Sequence, residues 1–193
     1  MKNHINSFKK KDIQDVLALT PLQEGILFHY LKEPGSHLYF EQLALDIKGE
    51  MDGAHFEKAW NIVTASNEML RTLFKWEQVK KPVQIILKKH SINLEIIDIS
   101  TAPAGQKEEL LNDWKKEDKQ RTFDLQQVPF RVCLCCMDKD RYTMIISNHH
   151  ILYDGWSTGI ILEEFFKTYT DLSMGNAPVP LAKTKFKEFI KQN

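Results

Sequence analysis

Cysteine is scarce in this chain: three among 193 residues, Cys133, Cys135 and Cys136, all inside one apolar stretch. Placed so close together, they cannot staple distant segments into a disulfide framework, and their spacing is not that of a zinc site. On a strand, Cys133 and Cys135 share a face and Cys136 takes the other; as buried thiols they fit a reducing, cytoplasmic setting. An excess of one charge is also missing, because Lys+Arg and Asp+Glu both number 26. A chain that neutralises many phosphates shows a basic surplus, so nucleic acid is not an expected partner. No run reaches the ~20 apolar residues of a membrane-spanning helix. The opening MKNHINSFKKKD is not followed by the apolar stretch of a signal peptide. Repeats and low-complexity tracts are lacking too. What is present is 42% hydrophobic and 27% charged, an ordinary globular make-up long enough for one hydrophobic core.

Patterning along the chain predicts alternating helices and strands. Residues 1–18 read as a polar leader that turns apolar near its end. Thr20-Pro21 is a helix start, with threonine as cap and proline in the first turn, and Leu22, Ile26, Leu27, Tyr30 and Leu31 form the stripe that follows. SHLYFEQLALDIKG alternates as a strand. Asp52 caps a second helix with Phe56, Ala59, Trp60 and Val63 on its apolar face. MLRTLFKWE, PVQIILKK and INLEIIDIS, rich in branched and aromatic residues, predict three successive strands. Residues 104–120 predict a charged amphipathic helix with Leu110, Leu111 and Trp114 inward. PFRVCLCCMD and RYTMIISNHH predict a hairpin about Asp138-Lys139-Asp140. Residues 156–172 predict a helix, NAPVPLAK a linker, and TKFKEFIKQ the start of one more helix. The fold class is therefore α/β, a sheet covered by helices.

One constellation carries chemistry: NHHILYDGWS, Asn148 to Ser157, between a strong strand and a strong helix, where α/β folds place functional groups. Strand alternation sends His149 and His150 to opposite faces, so only one lines a given cavity and a shared metal site is not expected. A histidine there has the proton affinity of a base or proton-positioning group at neutral pH. Asp154 has two possible jobs, orienting the imidazole or pairing with a cation elsewhere, and Gly155 permits a tight turn. Ser157 reads as a helix cap and the cysteines lie inside a strand, so no nucleophile is evident. Transfer from an activated donor to a nucleophilic acceptor, without a covalent enzyme intermediate, is the chemistry these residues suit.

The segment HHILYDGWS resembles the HHxxxDG core of nonribosomal peptide synthetase condensation domains, relatives of chloramphenicol acetyltransferase. LTPLQEGILFH (residues 19–29) is similar to that family's first block, NEMLRTLF (67–74) to its second, and FKEFIK (186–191) to the block after the motif helix. The resemblance implies a chloramphenicol acetyltransferase-like two-layer sandwich, a mixed sheet packed by helices, forming one lobe of a V-shaped two-lobe domain. It divides the chain into a leader or docking segment (1–18), the N-terminal lobe (19–175), and a linker with the start of a helix (176–193) leading to a C-terminal lobe. It implies amide formation between donor and acceptor thioesters at His150. His149, Asp154, Gly155 and Arg71 would support the site, Arg71 pairing with Asp154, and Trp156 and Ser157 would border the substrate tunnel. No metal or cofactor is expected on the chain itself, because phosphopantetheine arms come on donor and acceptor peptidyl carrier proteins. The other partners implied are the C-terminal lobe, without which the chain would be inactive, and an upstream synthetase docking through the leader. The first block and short leader resemble those of domains that begin a synthetase and receive a D-configured donor. Asn67 and Ser66 depart from the second block, where histidine and arginine are usual, which predicts a lost polar contact. A non-catalytic docking module for a carrier or synthetase, and a small oligomeric acetyltransferase, are the competing readings.

Overall fold

Short polar side chains decide where the helices begin. In the computed structural model, which describes residues 9–179 and 183–192, Thr20 Oγ1 accepts from Gln23 N at 3.2 Å and Gln23 Oε1 accepts from Thr20 N at 3.0 Å. This reciprocal cap satisfies two N–H groups that helix geometry leaves without partners and opens α1, Pro21–Lys32. Asp52 Oδ1 accepts from His55 N at 2.7 Å and opens α2, Gly53–Ser66. The strands are β1 (Ile13–Ala18), β2 (Phe40–Lys48), β3 (Thr72–Lys75), β4 (Val83–Leu87), β5 (Asn93–Asp98), β6 (Phe130–Asp138) and β7 (Arg141–His149). Three further helices are α3 (Ala104–Gln120), α4 (Gly155–Ser173) and α5 (Phe186–Gln192), and single 3-10 turns precede β1 and β3.

The expected α/β sandwich forms, with its strands divided between two sheets. A mixed sheet runs β2-β7-β6-β5, in which β5 and β6 are parallel and the other neighbours antiparallel. A smaller antiparallel sheet runs β1-β4-β3. The strands predicted for residues 69–100 therefore part company, β3 and β4 in one sheet and β5 in the other. β6 is central in the mixed sheet and buried on both faces. Val132 and Leu134 join Met144, Ile146, Phe56, Trp60 and Phe165 in the main core, where Trp60 stacks on Phe165 with ring centroids 4.6 Å apart. Cys133, Cys135 and Met137 turn to the other face and pack with Leu111 of α3 and Ile145. Helices thus cover both faces of this sheet, and the cysteines divide between faces as strand alternation requires.

Two sequence expectations need correction. Residues 13–18 are not leader: β1 pairs with β4 from Ile13↔Leu87 to Ala18↔Val83, and residues 1–8 of that segment lie outside the described residues. The stripe expected on α1 is narrower, because Ile26 and Leu27 are buried while Leu22 and Leu31 are exposed and Gln23 is buried instead. Gln23 faces inward because its amide meets Gln84 and donates to Ile151 O at 3.2 Å, so a polar side chain occupies a core-facing position with its bonds satisfied. Residues 180–182 of the expected linker lie outside the described residues.

Candidate functional site

The last residue of β7 and the first beyond it have different surroundings, as alternation predicts. His149 is buried at 4% exposure, its ring 5.9 Å from that of Tyr30 and 6.0 Å from that of Tyr39. Its Nδ1 accepts from Ile151 N at 3.3 Å, so the loop that follows closes onto it. Burial, and then the neighbouring His150, push its pKa down to about 4, which leaves His149 neutral at physiological pH. His150 instead keeps its side chain 31% exposed. Its backbone N donates to Tyr39 O at 2.8 Å, and Tyr39 has φ 64°, a left-handed conformation that costs a non-glycine residue ~1–3 kcal/mol. That turn delivers the carbonyl to His150 just before β2 begins.

The carboxylate beside His150 comes from β2. Glu41 Oε1 lies 2.9 Å from His150 Nδ1, close enough for an ion pair but out of line for a good hydrogen bond. Glu41 Oε2 accepts from Asn148 Nδ2 at 3.0 Å. The contact follows from register, because Glu41 pairs with Asn148 across β2 and β7. Sequence reasoning missed Glu41; the only signal for it was the alternation of SHLYFEQLALDIKG, which placed it on a strand face without saying opposite what.

Asp154 does not do either job expected of it. It is the N-cap of α4, its Oδ1 accepting from Ser157 N and from Ser157 Oγ, both at 3.0 Å, and these bonds hold its carboxyl below the usual carboxylate range. Arg71 is buried elsewhere: its Nη1 donates to Gln14 Oε1 at 2.8 Å and to Leu87 O. The expected Arg71–Asp154 pair is therefore absent. Local bonds explain the difference, since a helix N-terminus already supplies positive charge to Asp154 and β1 brings Gln14 to the guanidinium. Gly155 is also not needed for a turn: it begins α4, its φ is not positive, and a methyl there would meet nothing within 4 Å. Trp156 stands 88% exposed, and Ser157 is occupied by Asp154. Among the described residues there is no group of three or more His, Cys, Asp or Glu that could hold a metal. No described helix is long and apolar enough to cross a membrane.

The sequence profile described as "Condensation domain" matches residues 13–193. The chain belongs to the condensation-domain family. It is 34% identical over 189 residues to surfactin synthase subunit 3 of Bacillus subtilis (strain 168), covering 97% of this chain and 15% of that protein. It is 36% identical over 166 residues to tyrocidine synthase 2 of Brevibacillus parabrevis, covering 86% of this chain and 5% of that one. The starter condensation domain of rhizomide synthetase superposes with a TM-score of 0.83 at 21% identity, over 93% of this chain and 45% of that one. The first condensation domain of the calcium-dependent antibiotic synthetase, in complex with a substrate analogue, gives 0.84 at 20%, over 93% and 43%. The chain thus spans a small part of its curated relatives and under half of the solved domains, whose fold it shares.

In this condensation domain Asn67, one of the two departures of the second block, makes polar contacts of its own. Asn67 Nδ2 donates to Val63 O and to Glu164 Oε2, each at 2.8 Å, and Asn67 Oδ1 accepts from Lys183 Nζ, which also pairs with Glu164. The amide ties α2 to α4 and to the segment before α5. Next to this network lies a cavity of about 360 Å³, lined in part by Gln14, Gln23, Asn67, Arg71, Gln84 and Lys183. Leu152 borders it but His150 does not, so it lies behind the histidine loop.

Proposed function

We propose that this chain is the histidine-bearing lobe of a domain that joins a donor aminoacyl or peptidyl thioester to the amine of an acceptor aminoacyl thioester. Both groups are substrates carried on the phosphopantetheine arms of separate peptidyl carrier proteins. The observation that carries the reading is the contrast within the histidine pair. His149 is buried and bonded into its loop, whereas His150 is partly exposed and its Nε2 makes no hydrogen bond among the described residues.

In the reaction the acceptor nitrogen attacks the thioester carbonyl, the C–N bond forms, the C–S bond breaks, and the arm departs as its thiol. The attacking amine must shed a proton, and His150 Nε2 is the group placed to accept it or to align the amine. No acyl-enzyme is called for: burial pushes the Cys133 and Cys135 thiols up, away from the reactive thiolate, and Ser157 Oγ is held by Asp154. Two tethered substrates must be held in register, an effect worth ~7–11 kcal/mol. One open wall does not supply that. The reading therefore includes a C-terminal lobe as partner, with the chain alone unable to form amide. Docking of an upstream synthetase would fall to residues 1–12, ahead of β1.

The test incubates the chain with loaded donor and acceptor carriers, with and without a separately expressed C-terminal lobe. Amide should form only when both lobes are present. His150→Ala should lower it by ~10²–10⁴-fold with the fold retained. If the chain alone made amide, or if His150→Ala were as active as the parent, the reading fails.

A further inference from the structure

Resting on the amide-forming reading, we propose that Glu41 is the positioning residue for His150. Its carboxylate, braced by Asn148, keeps the imidazole proton on Nδ1 and leaves Nε2 as the basic nitrogen turned to the substrates.

Three constraints converge on the ring. The backbone of His150 is tied to β2 through Tyr39 O at 2.8 Å. The carboxylate of Glu41 is fixed by register, its Oε2 taking the Asn148 amide at 3.0 Å. Its other oxygen then lies 2.9 Å from His150 Nδ1. An ionised carboxylate only accepts hydrogen bonds, so the nitrogen beside it is the one that carries the proton. Which ring nitrogen is protonated is set by the group that the other faces; with the proton drawn to Nδ1 by the facing carboxylate, Nε2 has a lone pair for the acceptor amine. If the proton sat on Nε2, His150 would meet that amine as a donor and could not take its proton.

The burial of the two nitrogens matches this division. Nδ1 is shielded from solvent and faces the Glu41 carboxylate, and Nε2 makes no hydrogen bond among the described residues. Glu41 itself is 40% exposed, and a charged contact so open to water adds little to stability. Its placement is better accounted for by orientation than by folding.

The test reads the tautomer directly. Ring-nitrogen NMR shifts of the 15N-histidine-labelled chain are recorded well above the imidazole titration range, and His150→Gln assigns the signals. His150 should be protonated on Nδ1 in the parent chain. Glu41→Ala should shift it to the Nε2-protonated form, and Glu41→Gln, whose single carbonyl oxygen cannot serve both Asn148 and His150, should give a mixture of the two forms. Asn148→Ala, which loosens Glu41 without removing it, should give a mixture. With the C-terminal lobe present, Glu41→Ala should lower kcat for amide formation about 10-fold or more, leave KM nearly unchanged, and be rescued in part by Glu41→Gln.

A parent chain protonated on Nε2, or a tautomer unmoved by Glu41→Ala, overturns the proposal. The parent measurement decides even if a variant does not fold. If the tautomer responds to Glu41 while His150→Ala retains full amide formation, the positioning stands and the amide-forming reading falls.

Discussion

At the scale of single residues, the two histidines of one motif have opposite relations to water. His149 has a pKa of about 4 in the folded chain, lowered mainly by burial, against about 6.5 in an unfolded one. Between those values the unfolded chain binds a proton that the folded chain refuses. Stability is then lost as pH falls below about 6.5, on the order of 3 kcal/mol by pH 4, with no such effect above neutrality. Urea titrations across this range should show the loss in the parent chain and a flatter profile in His149→Gln; parallel profiles would remove His149 as the cause. Asp154 makes a smaller claim. As a helix cap, its replacement by alanine should cost about 1 kcal/mol, and a double-mutant cycle with Arg71→Ala should be additive to within ~0.5 kcal/mol. A coupling of several kcal/mol would restore the ion pair that the family resemblance implied. The division between His149 and His150 was legible because alternation needs only the local strand. Glu41 was not, because it lies 107 residues from Asn148 and becomes a neighbour only through strand register.

At the scale of elements, α3 shows how a helical stripe can hold a charge. Leu111 and Trp114 face the sheet as their spacing predicts, Leu110 does not and stands exposed, and Asp118 falls on the inward stripe with 0% exposure. Burial alone would raise its pKa, but bonds from Ser147 Oγ (2.6 Å), Arg131 Nε (2.6 Å) and Gln42 Nε2 (2.7 Å) hold it below the usual carboxylate range. One carboxylate thus joins α3 to β2, β6 and β7. Removing it strands the largely buried Arg131, so Asp118→Ala should destabilise the chain by ~3–5 kcal/mol. Thermal melts of Asp118→Ala against the exposed control Asp113→Ala check this, and two equal melts would refute it. A charge on an inward stripe is unreadable without its partners, which here arrive from three strands. β1 was missed for a related reason. Six residues directly behind a polar, lysine-rich run look like the end of a leader until β4 pairs with them, and that pairing also supplies Gln14 to Arg71 and to Glu68.

At the scale of the whole molecule, the α/β class was plain from patterning, and the order of strands was not. Branched residues mark β3, β4 and β5 alike, yet period-two alternation does not say which strand each will pair with, and the three divide between two sheets. The exposure of Trp156 belongs to the same gap, because helical spacing predicts a face without naming what meets it. β6 has a consequence of another kind. Its neighbours on both sides and helices on both faces enclose Cys133 and Cys135, and burial pushes the Cys135 thiol up to about 11, whereas Cys136 is only half-buried. An alkylating reagent should therefore reach Cys136 in the folded chain and the other two only when the central sheet comes apart. Mass spectrometry of timed iodoacetamide reactions should find Cys133 and Cys135 modified ~10³-fold or more slowly than Cys136, at a rate set by the free energy of global opening. Equal rates for all three would mean that β6 opens locally. The three thiols thus give the chain a fast internal reference and two slow counters of unfolding, read in native buffer without denaturant or any added label site.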